Sequence, residues 1–173
     1  MNKKTKKYSK IIKQISSDVG ACYAGGCKNF TCVAPILKLA KRDFVLISDA
    51  DETAKDCQNK FLMGHHHGTW VRYDEILRGD YFITAEDFVS DDCLKRALLK
   101  TKVDEDLRQE LNSVVGNGDL IANLKRILLK KYKQHSAKDI LSAFKKSVYK
   151  EVSCDDIREE YFEFLKGVMN RFE

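Results

Sequence analysis

The stretch Phe44-Val45-Leu46-Ile47-Ser48-Asp49-Ala50-Asp51-Glu52 constrains this chain more than any other. Phe44 to Ile47 form an apolar run too short for a buried helix and rich in β-formers, which predicts a buried strand. The run ends in acid, with Asp49, Asp51 and Glu52 inside four positions. A helical pattern follows, with Ala54, Cys57, Phe61 and Leu62 on one face. In open α/β sheets, ligands bind outside the carboxyl ends of the strands. Asp49 and Asp51 are two residues apart on a strand exit, a spacing that lets both reach one hard cation through oxygen. An acid after a strand also serves as a helix N-cap, which is the competing reading. Three acids together crowd like charge and need a cation or solvent to tolerate it.

The rest of the chain alternates strands and helices before turning helical. Tyr8 to Ile15 reads as an amphipathic helix, and Gly20 to Ala24 as a short strand leaving through Gly25-Gly26. Asn29 to Lys41 reads as a helix that Pro35 should kink or delay. Phe44 to Ser48 is the expected central strand, Glu52 to Met63 the next helix, and Thr69 to Tyr73 a further strand. This alternation predicts a parallel sheet with right-handed crossovers. Beyond Asp87 only helices are expected. Ser90-Asp91-Asp92 caps one running to about Lys100, and Asp104 to Val115 forms another. Gly116-Asn117-Gly118 stops that helix, and Asp119 caps the next, Ile121 to Tyr132. Ser136 to about Lys150 follows. Ser153-Cys154-Asp155-Asp156 reads as a capping box. It precedes a stripe of Ile157, Tyr161, Phe164, Leu165, Val168 and Phe172. The reading divides the chain into an α/β core over 8–88 and a helical extension over 89–173.

No apolar run approaches the length of a membrane span. The basic start, Met1 to Lys7, is not followed by a signal-peptide core, so a cytoplasmic protein with no membrane partner is expected. Six cysteines without a secretion signal read as free thiols, and Cys22, Cys32, Cys57 and Cys93 fall in apolar patterns. The lack of a Cys-x-x-Cys pair argues against structural zinc. His65-His66-His67 reads as an exposed loop, because adjacent turn residues point in different directions. The net charge of +5 fits a polyanionic partner. Between Ile121 and Lys150 nine Lys and Arg stand against one acid, Asp139. That excess nominates Lys125, Arg126, Lys130, Lys131 and Lys138 as a nucleic-acid backbone face. A solvated helix surface is the alternative.

Three segments resemble one known family. Leu46-Ile47-Ser48-Asp49-Ala50-Asp51 resembles the Asp-x-Asp motif of the Toprim domain. Cys22 to Asn29, with Gly25-Gly26, is similar to the glycine turn between that domain's second strand and second helix. Phe82-Ile83-Thr84-Ala85-Glu86-Asp87-Phe88 resembles the acidic segment that follows the Toprim core in the OLD (overcoming lysogenization defect) nucleases. Their order and spacing agree over most of residues 8–100. The resemblance implies a parallel sheet of three to four strands flanked by helices. It also implies Mg2+- or Mn2+-dependent cleavage of DNA phosphodiesters, with RNA left open, in a setting such as phage defence. By the same resemblance Asp49 and Asp51 are catalytic metal ligands, and Glu86 is a further metal ligand. Lys138, within Ser136-Ala137-Lys138-Asp139, matches the neighbourhood of a functional lysine.

The family's first strand ends in Glu-Gly, and no acid precedes Asp18 here. The expectation is therefore a fragment, a part whose first strand comes from a partner chain or a missing N-terminal segment, or a degenerate Toprim that binds without cutting. No Gly-x-x-x-x-Gly-Lys-Ser/Thr loop occurs, so ATP binding by that route is not expected.

Overall fold

Val45–Ser48 extends as β1 and pairs in parallel with β2, Thr69–Arg72, in the register Val45 to Thr69 through Ser48 to Arg72. The computed structural model describes residues 7–10, 13, 21, 24–64, 68–77 and 81–171. The helices, in chain order, are α1 (Phe30–Leu39), α2 (Glu52–Met63), α3 (Tyr73–Ile76), α4 (Asp91–Lys100), α5 (Glu105–Asn112), α6 (Leu120–Lys131), α7 (Gln134–Glu151) and α8 (Glu159–Met169). Short 3-10 turns lie at Cys27–Asn29, Ala85–Phe88 and Cys154–Asp156. The fold is mixed α/β and mostly helical, and the sheet has two strands among the described residues. The expected helix at 8–15 and strand at 20–24 lie largely outside the described residues, as do His65-His66-His67 and Phe172.

The chain divides into two compact units, Met1–Gly79 with Glu159–Glu173, and Asp80–Arg158. The acidic segment 82–88 falls in the second unit and α8 in the first. The reason is local packing. Phe82 stacks on buried Phe88 at 4.8 Å, and Asp87 binds the start of α6, which draws this segment into the second unit.

In the first unit Phe30, Ala34, Leu46, Phe61 and Trp70 form one core cluster. Trp70 meets the edges of Phe30 and Phe61, with centroids 4.6 and 5.4 Å apart. α1 and α2 thus cover the Leu46 face of β1. Leu46 and Ser48 are buried, whereas Ile47 is 38% exposed. A buried strand was expected; β1 is buried on the Leu46 side, where α1 and α2 pack among the described residues. β2 is its neighbour on one side, and among the described residues no strand lies on the other. Pro35 lies inside α1 without ending it, at the cost of one intrahelical hydrogen bond. α8 meets α3 through Tyr73 and Phe164, whose centroids are 5.0 Å apart. The approach needs a glycine: a Cβ on Gly167 would sit 2.5 Å from Ile76 Cγ2.

In the second unit α4 packs on α7, and α6 on α7, around Leu94, Leu98, Leu124, Leu128, Phe144 and Val148. Its two ends are tied by a bridge between Val89 and Ile157, by Ser90 N donating to the Asp156 carbonyl at 2.7 Å, and by Arg158 N donating to the Phe88 carbonyl at 2.8 Å. The cap expected from Ser90 forms, and Asp104 caps α5 as well, each side chain accepting from the backbone three residues on. Asp119 does not cap. It adopts the left-handed conformation, φ 42, and Asp87 caps α6 in its place. The capping box at Ser153 and Asp156 closes on its own 3-10 turn. Cys27, Cys32, Cys57, Cys93 and Cys154 are free. Cys32, expected within an apolar pattern, is exposed, because the α1 core contacts come from Phe30 and Ala34. No helix among the described residues is long and apolar enough to cross a membrane.

Candidate functional site

The register that places Ser48 beside Arg72 brings two chain exits to one edge of the sheet. From β1 come Asp49, half-buried, and Asp51, exposed. Asp51 Oδ1 accepts from Ala54 N at 2.8 Å and so caps α2. The capping reading therefore holds for one oxygen of Asp51. Ser48, a candidate for contact with metal-bound water, is otherwise engaged. Its buried hydroxyl accepts from Trp70 Nε1 at 2.9 Å and donates to the Asp49 carbonyl at 3.0 Å. That pair fixes the turn from which both acids project.

From β2 comes a polar cluster that sequence reasoning missed. Arg72 holds Asp74 through two bonds, Nε to Oδ1 at 2.9 Å and Nη2 to Oδ2 at 3.2 Å. Glu75 Oε2 accepts from Arg72 N at 3.1 Å, and Glu75 Oε1 from Gln58 Nε2 at 2.9 Å. Arg72 also donates to Gln58 Oε1. The signal was the Arg72-Tyr73-Asp74-Glu75 spacing, a reverse capping arrangement at the start of a one-turn helix. Cys27 lies near the same edge. Burial, then the Cys57 thiol and the Asp51 charge, push its thiol up to about 11.

The second acidic segment belongs to the second unit. Asp87 is buried and accepts from Ile83 N at 3.0 Å, Thr84 N at 2.8 Å, Thr84 Oγ1 at 3.3 Å and Leu120 N at 3.0 Å. Burial pushes its carboxyl above the usual range, against the pull of those four donors. The helix-start reading accounts for Asp87. It does not account for Glu86, which is 2% exposed and has no hydrogen bond at either oxygen among the described residues. Lys145 Nζ lies 3.2 Å from Glu86 Oε1, an ion pair by distance but outside hydrogen-bonding directions. The lysine facing the acidic segment is thus Lys145. Lys138 lies two turns earlier on α7 and is exposed. The seven-residue spacing puts both on one side of the helix.

Among the described residues no group of three or more His, Cys, Asp or Glu side chains is placed to hold a metal ion. The acids are otherwise engaged: Asp51 in part by its cap, Asp74 and Glu75 by Arg72, and Glu86 by Lys145. Compared with protein-family models, curated proteins and solved structures, the chain matches none.

The nominated basic face is only partly free. Lys125, Arg126 and Lys130 are exposed on α6, and Arg126 donates to Asn123 Oδ1 at 3.2 Å. Lys131 pairs with Glu110 at 3.3 Å.

Proposed function

We propose that this chain is a metal-binding module of a Toprim-type, OLD-like nuclease acting on DNA. The observation that carries the reading is the acidic exit of β1. Asp49 and Asp51 lie at the carboxyl end of a strand paired in parallel, the position where α/β sheets hold ligands. Their hard oxygen donors suit Mg2+ or Mn2+. When bound, such a cation neutralises charge on phosphoryl oxygens. In this reading Asp49 and Asp51 hold the cation, and the bond between Ser48 and Trp70 aims the turn that carries them. Glu86, given as a further ligand by the resemblance, belongs to the second unit, where Lys145 faces its carboxylate. A Glu-bearing strand from a partner chain or another segment completes the carboxylate set, and phage defence is the proposed setting.

The test is calorimetric titration of the chain with Mn2+, alongside Asp49→Asn and Asp51→Ser. Serine keeps the α2 cap and removes the charge, so it separates the two roles of Asp51. Saturable binding lost in both variants, with stability nearly unchanged in Asp51→Ser, supports the reading. No saturable binding to the parent chain sinks it. The second reading, a non-catalytic binding or assembly module of the same fold, then stands. Its supporting observation is that Asp51 already serves as a cap.

A further inference from the structure

At the opposite, amino-terminal edge of β1 and β2, an open groove of about 510 Å³ is lined by Lys38, Lys41, Arg42, Phe44, Gly68 and Arg171, with Asp43 as the one acid. We propose that this groove binds the phosphate backbone of single-stranded nucleic acid, with the Phe44 ring as a stacking floor. The inference goes beyond the cation chemistry proposed for Asp49 and Asp51 and does not rest on it.

Four cations converge here from separate parts of the first unit. Lys38 is in the last turn of α1, and Lys41 and Arg42 lie in the link to β1. Arg171 comes from beyond α8. A solvated helix surface would take its charges from one helix; these are gathered by the fold. All four are exposed, and none takes part in an ion pair among the described residues. That contrasts with Lys131 and Lys145, which already hold carboxylates. Lys41 takes the left-handed conformation, φ 52, in the turn that ends α1. Its amide donates to the Lys38 carbonyl at 2.9 Å, and Arg42 N to the Leu37 carbonyl at 3.1 Å, so the basic turn is an ordered one. Four cations against one carboxylate leave a concentrated positive field, suited to several phosphates rather than one.

The floor argues for a single strand. Phe44 is half-buried and lines the groove, and Gly68 lies directly against its ring. A Cβ on Gly68 would fall 2.2 Å from Phe44 Cε2. The bare backbone of Gly68, at φ 110, thus allows the ring its place. A basic trough with an aromatic surface is the general arrangement that takes unpaired bases and their backbone. A duplex keeps its bases stacked on one another and offers none to Phe44.

The test is fluorescence anisotropy with a labelled single-stranded oligonucleotide, in EDTA and across a salt series, on the whole chain. EDTA removes divalent cations, so the outcome does not depend on whether the nuclease reading stands. Lys41→Gln with Arg42→Gln should weaken binding roughly tenfold or more and flatten the logarithmic salt slope by about 1.4. Arg171→Gln, on a separate segment, should flatten it by about 0.7. Phe44→Leu should weaken the single strand and spare the duplex of the same sequence. Lys125→Gln with Arg126→Gln, in the other unit, should change neither. Trp70 fluorescence reports whether each groove variant keeps its core. No binding by the parent at low salt overturns the proposal. So does binding that is lost only in the Lys125 and Arg126 variant, or a groove that takes vesicles of anionic lipid and no oligonucleotide.

Discussion

Asp156 should govern the acid stability of the second unit. Its carboxylate accepts four hydrogen bonds: Oδ1 from Ser90 Oγ at 3.1 Å and Arg96 Nη2 at 2.9 Å, Oδ2 from Ser153 N at 3.0 Å and Ser153 Oγ at 2.7 Å. It thereby joins the segment before α4 to the segment after α7, the two ends of that unit. Burial alone would raise this carboxyl; the Arg96, Ser153 and Ser90 donors together outweigh it and hold it at about 2, below its ordinary value of 3.8. Since the folded value is the lower one, the ionised group favours the fold. Its contribution is present in full above the unfolded value and is lost as pH falls through about 2. The gap corresponds to roughly 2 kcal/mol at about 1.4 kcal/mol per unit. Arg96, its charged partner, is 46% exposed, so solvent screening trims that figure to about 1–2 kcal/mol. Asp156→Asn keeps the shape and removes the charge. Urea unfolding followed by far-UV circular dichroism should show the variant about 1–2 kcal/mol less stable at neutral pH, with the gap closing as pH falls through about 2. Other carboxylates titrate in both proteins and cancel in the comparison. Trp70, the one tryptophan, reports the first unit separately. A gap between parent and variant that stays constant from neutral pH down to about 2 would refute the reasoning.

Asp87→Ala strands the amides of Ile83, Thr84 and Leu120 and should cost about 3–5 kcal/mol in urea unfolding, with Asp87→Asn recovering part of it; a loss under about 1 kcal/mol would deny its role at the start of α6. Gly167→Ala drives a methyl into Ile76. It should lower stability by about 1–2 kcal/mol after the gain in helix propensity, and Ile76→Leu, which lacks the Cγ2 methyl met by the new Cβ, should recover part of that loss in thermal unfolding read by Trp70. Near neutral pH, iodoacetamide should label Cys27 well behind exposed Cys32 and Cys154, because its thiol is pushed up to about 11; equal rates in peptide mass spectra would contradict that environment.

Local elements were legible in the sequence where the deciding contact is local. The bounds of α2, Glu52–Met63, follow from an apolar face and an acid three residues before the amide it caps. Ser90 and Asp104 cap their helices for the same reason. β1 was visible from its apolar run, but how many of its faces are covered depends on where α1 and α2 lie, and so Ile47 came out exposed. The acids at the exit of β1 were legible as a cluster; that Asp51 divides itself between cap and solvent was an open alternative until the backbone was in view. Partners far apart in sequence left no local signal. Asp87 displaced Asp119 as the cap of α6, and Lys145, far along the chain, reached Glu86. The basic groove needed Arg171, near the chain end, to approach the link between α1 and β1. Spacing along a chain determines which residues share a face of one element. Which element that face meets is decided only when the hydrophobic surfaces pack, and there the tertiary structure assigned the charges their partners.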